Sequence, residues 1–99
     1  MERFQFEMDA WLSAQIKNET NPRRRDLLRK GLGHGTVEFL KEIWYPAIGN
    51  FNNLYPEWEV RDLNNRYRYL DLAYIVAGAK GCIEIQGFGS HARDIEAWR

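Results

Sequence analysis

A predicted β-hairpin constrains this chain more than any other feature of its sequence. Residues 66–77 and residues 80–87 are both rich in the β-branched and aromatic side chains that favour strands. Gly78 and Ala79 lie at their junction, and Gly at the first central position of a two-residue loop is typical of a type II′ turn. The sequence therefore predicts two antiparallel strands that pair in one fixed register.

This register predicts which polar side chains share a face of the sheet. Counting outward from the turn places Ala73 opposite Glu84 and Asp71 opposite Gln86, so Asp71 and Glu84 become diagonal neighbours. Two carboxylates at that spacing can converge on one cation, and keeping both ionised without a cation or a proton is unfavourable. Their oxygen atoms suit Mg²⁺ or Mn²⁺. A carboxylate paired with Arg or Lys across the sheet explains the same residues without a metal.

Two helices are predicted before the hairpin. Apolar residues at helical spacing predict an amphipathic helix in residues 1–20. Asn21 is suited to the N-cap of a second helix and Pro22 to its first position, and we expect this helix to continue to about Ala47. Both helices would pack on the apolar face of the hairpin.

The remaining elements complete a small α+β domain. A short strand is predicted at residues 58–62 and a last helix at residues 91–99. The order of elements predicts a sandwich-like fold, with helices packed on a small, largely antiparallel three-stranded sheet. A chain of 99 residues forms one hydrophobic core, so we expect a single domain over residues 1–99.

The composition restricts the location and the partners of the protein. Fourteen basic and fourteen acidic residues give a formal charge of zero, so contact with nucleic acid needs a local patch. No apolar run approaches the ~18 residues of a membrane span, and we expect no membrane contact. The single cysteine, Cys82, excludes an internal disulfide, and the charged start MERFQFEMD has no signal-peptide character. A cytoplasmic protein is expected.

The acidic residues of the hairpin carry a resemblance to a known superfamily. Asp71, Glu84 and Gln86 resemble the degenerate motif of the PD-(D/E)XK nucleases, with Gln86 at the position usually held by Lys. Within that superfamily, IEIQGFGSHARDIEAWR is similar to the very-short-patch-repair-like endonucleases. The resemblance covers roughly residues 33–99. It implies a restriction-endonuclease-like core in residues 21–99, and the C-terminal elements of that core are expected to be missing.

The resemblance also implies a metal site and a reaction. The protein would be a Mg²⁺-dependent or Mn²⁺-dependent endonuclease that hydrolyses phosphodiester bonds in DNA. Asp71, Glu84 and the backbone carbonyl of Ile85 would hold one or two metal ions, and Glu38 in the second predicted helix would add a further ligand. A solvated, charged helix face is the alternative explanation of Glu38.

Further residues are implied in catalysis and in DNA binding. Gln86 would orient the attacking water, and His91 would serve as a general acid or contact the phosphate. A capping or packing role at the start of the last helix explains His91 as well. Arg61, Arg66 and Arg68 lie close to the strands in sequence and are the predicted contacts to DNA phosphates.

Two alternatives to an active enzyme stay open. Gln86 cannot supply the positive charge of the usual Lys, which favours a catalytically inactive module that binds DNA or regulates another protein. A core without its last elements would leave a sheet edge and apolar helix faces uncovered, which favours self-association, for example as a homodimer.

Overall fold

Helices cover a three-stranded sheet in this protein. The computed structural model describes residues 2–85. The helices are α1 (Glu2–Asn18), α2 (Pro22–Arg29), α3 (His34–Phe39) and α4 (Tyr45–Ile48), and a π-helical turn (Leu40–Trp44) joins the last two. The strands are β1 (Leu54–Arg61), β2 (Tyr67–Val76) and β3 (Ala79–Ile83), which form one antiparallel sheet in the order β1-β2-β3. The predicted α+β class with helices on a three-stranded antiparallel sheet is confirmed.

The start of the second helix is as predicted, but its end is not. The Asn21 side chain accepts a hydrogen bond from the backbone N–H of Arg23 at 3.0 Å, and Pro22 occupies the first turn. The helix then ends at Arg29 instead of continuing to residue 47, because Gly31 adopts a left-handed φ of 88° that an α-helix cannot contain. The chain returns to helix only at His34.

The first strand begins four residues earlier than predicted. Leu54 already pairs with Tyr74, whereas the sequence predicted a start at residue 58. Pro56, which indicated a loop, is tolerated because β1 is an edge strand and needs no backbone donor on its outer side.

The hairpin turn lies one position earlier than predicted. Val76 pairs with Ala79, so Ala77 and Gly78 are the central residues, and the positive φ of 80° belongs to Gly78 at the second of them. This is the arrangement of a type II turn and not of a type II′ turn. The predicted pairing of Ala73 with Glu84 is therefore wrong.

The corrected register keeps the predicted faces of the strands. Ala73 pairs with Cys82, two residues away from the predicted partner. Because side chains alternate with a period of two, a slip of two residues leaves every side chain on its face. The same slip brings Asp71 directly beside Glu84 instead of on a diagonal.

One face of the sheet packs against the helices. The buried core joins Leu54 and Leu72 of the sheet to residues of α1, the π-helical turn and the following loop, namely Phe4, Met8, Leu40 and Phe51. Trp11 stacks on Phe51 at 4.8 Å between ring centroids and donates its indole N–H to the Leu54 carbonyl at 2.9 Å. This covers the outer edge of β1 at its start.

Several sequence predictions lie outside the described residues. These are the last helix at residues 91–99 and the two predicted catalytic residues Gln86 and His91. Within residues 2–85, none of the helices combines the length and the apolar character needed to cross a bilayer.

Candidate metal-binding site

Asp71 and Glu84 meet where the hydrogen-bond ladder between β2 and β3 ends. The backbone N–H of Asp71 donates to Oε2 of Glu84 at 3.1 Å, and the backbone N–H of Ile85 donates to Oδ2 of Asp71 at 2.7 Å. Both carboxylates are half-buried. Each therefore replaces a backbone acceptor of the neighbouring strand, which fixes the two acidic groups side by side.

Each carboxylate keeps one oxygen for another ligand. Within residues 2–85, neither Asp71 nor Glu84 forms an ion pair with Arg or Lys, and their hydrogen bonds use only Oδ2 and Oε2. Oδ1 of Asp71 and Oε1 of Glu84 have no partner in that part of the chain. Pairing with a basic side chain, the simpler explanation of these residues, is not observed there.

The surroundings of Glu84 disfavour its charge. Burial raises the pKa of the Glu84 carboxyl, and the negative charge of Asp71 raises it further. The hydrogen bond from the Asp71 N–H and the positive charge of Arg68 act in the opposite direction. A group with a raised pKa beside a second carboxylate gains when a proton or a cation shares the site.

Glu57 is a third acidic residue that sequence reasoning missed. Its neighbours Pro56 and Trp58 pair with the residues on either side of Asp71, so Glu57 lies opposite Asp71. Burial raises the pKa of Glu57, as do the charges of Asp71 and Glu84, while Arg24 lowers it. Three acidic residues thus lie at neighbouring positions, Glu57 on β1, Asp71 on β2 and Glu84 directly after β3. The sequence signal was Pro-Glu-Trp. It was missed because the first strand was predicted to begin at residue 58, which left Pro56 and Glu57 outside the sheet.

A buried arginine holds Glu57 in place. Arg24 is only 5% exposed, and its Nε donates to the carbonyls of Pro56 at 3.1 Å and Glu57 at 3.0 Å. The two successive carbonyls thus point to the same side, where Glu57 has a left-handed φ of 50°, and the pairing of β1 with β2 keeps its register across this residue. The same guanidinium also donates to Glu19 at 2.6 Å and to Gln15 at 2.9 Å. Arg24 therefore joins α1 and α2 to the backbone of β1 beside the acidic residues.

The described residues bring two candidate metal ligands together. Within residues 2–85, no group of three or more His, Cys, Asp or Glu side chains is close enough to hold a metal ion. Glu57 repels the Asp71–Glu84 pair without joining it in such a group, and half-buried Glu38 of α3 does not join it either. The pair nevertheless offers only oxygen atoms, which is the donor chemistry that Mg²⁺ and Mn²⁺ prefer.

The three predicted DNA-binding arginines lie around the turn between β1 and β2. Arg61 donates to the side chain of Asn65 at 2.6 Å. Arg66 and Arg68 each lie near Asp62, with nitrogen–oxygen distances of 3.4 and 3.6 Å. Both of these side chains line a groove that also contains Glu84. The structure thus brings two of the three arginines to the edge of the acidic pair.

Comparisons with known proteins add no family to these observations. No family model, no curated protein and no solved structure matches this chain. The candidate function therefore depends on the residues and on their arrangement alone.

Proposed function

We propose that this protein is a cytoplasmic, metal-dependent endonuclease-like protein that hydrolyses phosphodiester bonds in DNA on a restriction-endonuclease-like core. The observation that supports this most directly is the pairing of Asp71 with Glu84 on adjacent strands, each with one carboxylate oxygen left without a partner within residues 2–85. The pKa of Glu84, which burial raises and the charge of Asp71 raises further, adds support, because a divalent cation would stabilise both carboxylates in their charged form.

The donor set of the pair fits a magnesium or manganese ion. Asp71, Glu84 and the carbonyl of Ile85 would hold the ion. When bound, such an ion stabilises charge on the phosphate and lowers the pKa of a bound water. Gln86 would orient that water by hydrogen bonding.

Groups at the edge of the site would bind the rest of the substrate. Arg66 and Arg68 lie beside Glu84 in one groove, so their guanidinium groups can neutralise phosphate oxygens of a strand held at the acidic pair. Arg61 would contact the strand further along the β1–β2 turn. His91 would protonate the leaving oxygen or contact the phosphate.

Cleavage of supercoiled plasmid DNA tests this function. The wild-type protein should nick the plasmid in Mg²⁺ or Mn²⁺, and EDTA should abolish the nicking. Asp71→Asn and Glu84→Gln remove one charge with little change of shape, and both should reduce nicking to background. Asp26→Asn is the matched control, because Asp26 is exposed on α2 and lies outside the pair. Equal nicking by the wild type and both site variants would reject the enzyme.

The same assay separates the candidate further ligands. Glu38→Gln should reduce nicking if this side chain reaches the metal, and the reduction should be partly reversed at higher Mn²⁺ concentration. Glu57→Gln should leave the Mn²⁺ dependence unchanged if Glu57 acts only through its charge. If only Glu57→Gln changes the Mn²⁺ concentration needed for nicking, then Glu57 and not Glu38 would be the further metal ligand.

A DNA-binding module without cleavage is the second candidate. Two observations favour it: Gln86 stands at the position usually held by Lys, and residues 2–85 contain no group of three metal-ligating side chains. Retention of DNA in Mg²⁺ without any nicking would support this candidate over the enzyme.

Self-association is compatible with either candidate. Large apolar side chains are exposed on the helices, including Phe6 at 74%, Ile43 at 58% and Ile48 at 51%. Sedimentation velocity tests this, since a monomer at all concentrations would exclude a homodimer.

A further inference from the structure

A groove at the β1–β2 turn lies beside the candidate metal site. Its volume is about 480 Å³, which is within the range of sites that hold small molecules. Glu84 lies in its lining together with residues of both strands and of the turn, so the groove reaches one carboxylate of the acidic pair. The chemistry of its lining indicates what kind of molecule the groove would bind.

Part of this lining is cationic and accessible. Arg66 and Arg68 are 69% and 64% exposed, and their nitrogen–oxygen distances to Asp62 are 3.4 and 3.6 Å. Asp62 itself is fixed, because its Oδ1 accepts the backbone N–H groups of Asn64 and Arg66 at 2.9 Å. The two guanidinium groups are therefore held at the groove by long contacts and keep further N–H donors for an anion.

Another part of the lining is apolar. Leu63 at the turn is fully exposed, and the half-buried side chains of Val60, Tyr69 and Leu70 also line the groove. The Tyr69 hydroxyl donates to Glu59 at 2.8 Å, so its ring is anchored. The groove thus places flat apolar surface next to two cations.

We propose that this groove binds an unpaired nucleotide, so that the protein acts on single-stranded DNA or on a locally unpaired segment. An unpaired nucleotide carries an anionic phosphate for Arg66 and Arg68 and an exposed base face for Leu63 and Tyr69. A regular duplex keeps its base faces stacked inside and would leave the apolar lining unused. This inference rests on the proposed function and adds a substrate class to it.

The charges of the lining fit this ligand when the acidic pair holds a cation. Arg66 and Arg68 are offset by Asp62 and Glu84, so the lining alone is close to neutral. A divalent ion at the Asp71–Glu84 pair would make the same surface attractive to phosphate. A strand bound in the groove would then lead its backbone directly to the metal.

Fluorescence anisotropy tests the inference without requiring cleavage. A labelled single strand of about 12 nucleotides, within the usual site size for such contacts, is compared with its own duplex in Ca²⁺ and in EDTA. We expect the single strand to bind about tenfold more tightly than the duplex, as one stacked base would provide. Leu63→Ser should weaken single-strand binding several-fold and leave duplex binding nearly unchanged, whereas Arg66→Ala should weaken binding of both because both carry phosphates.

Matched controls separate the groove from general surface effects. Ile48→Ser removes an exposed apolar side chain elsewhere, and Arg3→Ala removes an exposed arginine on α1. Neither should change single-strand affinity. Unaltered urea midpoints for Leu63→Ser and Arg66→Ala would show that both groove variants fold normally.

Distinct outcomes overturn this inference and the proposed function. Duplex binding as tight as single-strand binding, or unchanged affinity in both Leu63→Ser and Arg66→Ala, overturns the groove assignment even if plasmid is nicked. If the protein prefers the single strand and both variants weaken that binding, the groove assignment is supported. If the protein then fails to nick plasmid in Mg²⁺ or Mn²⁺, the proposed enzyme activity is overturned.

Discussion

Asp71 donates its backbone N–H to the Glu84 carboxylate at 3.1 Å, at the point where pairing between β2 and β3 ends. The carboxylate of Asp71 in turn accepts the N–H of Ile85 at 2.7 Å. The candidate metal ligands therefore also fasten the two strands together. Substitutions at this pair can change stability and activity separately, and the choice of replacement decides which.

Asp71→Ala should destabilise the protein more than Asp71→Asn. Alanine leaves the half-buried N–H of Ile85 without its acceptor, which costs about 1–3 kcal/mol in the free energy of unfolding. Asparagine keeps a side-chain oxygen at the same place and should cost less than about 1 kcal/mol, because a neutral acceptor replaces a charged one. Urea unfolding followed by tryptophan fluorescence measures both values. Equal losses would mean that the Ile85 hydrogen bond contributes nothing to stability.

The faces of the hairpin could be predicted from the sequence, but its register could not. Alternation along a strand has a period of two, so Asp71 and Glu84 share a face in either register. The register depends on which residues occupy the turn, and Ala77-Gly78 competes with Gly78-Ala79 because one Gly serves either arrangement. Local sequence alone did not decide between them.

The break in the second helix depends on the conformation of one glycine, and the backbone conformation at Glu57 involves a contact distant in sequence. Gly31 costs only ~1 kcal/mol relative to Ala in a helix, so a helix through it was a reasonable expectation. The position of Glu57 depends on Arg24, which lies more than thirty residues earlier and donates to the carbonyls of Pro56 and Glu57. Three successive arginines, Arg23 to Arg25, give no sign of which one is buried.

Arg24→Met should strongly destabilise the protein. The substitution leaves Glu19 and the carbonyls of Pro56 and Glu57 without their buried donor, and breaking a buried ion pair from one side costs about 3–5 kcal/mol. Arg29→Met is the matched control, because Arg29 is exposed on the same helix. Urea midpoints of the two variants and the wild type provide the comparison. Similar midpoints for both variants would contradict the structural role of Arg24.

Glu57→Gln should stabilise the protein at neutral pH but not in acid. Burial, together with the charges of Asp71 and Glu84, raises the pKa of Glu57 in the folded state above its ordinary value of 4.5. The folded state therefore binds this proton more tightly than the unfolded state. The stability that Glu57 contributes is present below pH 4.5 and is lost as the pH rises through the folded-state pKa.

The free energy of unfolding of Glu57→Gln, relative to the wild type, should depend on pH. Above the folded-state pKa, glutamine removes an unfavourable charge, so the free energy of unfolding should exceed that of the wild type at pH 7. Near pH 4 the difference should shrink or reverse, because the wild-type carboxyl is then protonated. Urea unfolding at both pH values tests this. A difference that does not change with pH would show that Glu57 acts through packing and not through its charge.

Gly78→Ala should weaken the hairpin that holds the acidic pair, whereas Gly81→Ala should not. Gly78 has a φ of 80°, and a left-handed conformation costs an alanine about 1–2 kcal/mol. Gly81, in β3, has no left-handed φ, and a Cβ added there meets no atom within 4 Å. Alanine at that position should be neutral or stabilise by up to about 1 kcal/mol, because it restricts the unfolded chain.

Urea unfolding of the two glycine variants distinguishes conformational strain from a general loss of glycine. A lower midpoint for Gly78→Ala with an unchanged or higher midpoint for Gly81→Ala would locate the requirement at the turn. Because the turn sets the register that places Asp71 beside Glu84, Gly78→Ala should also weaken Mn²⁺ binding in a calorimetric titration, where Gly81→Ala should not. Equal losses of stability in both variants would show that the turn does not determine that register.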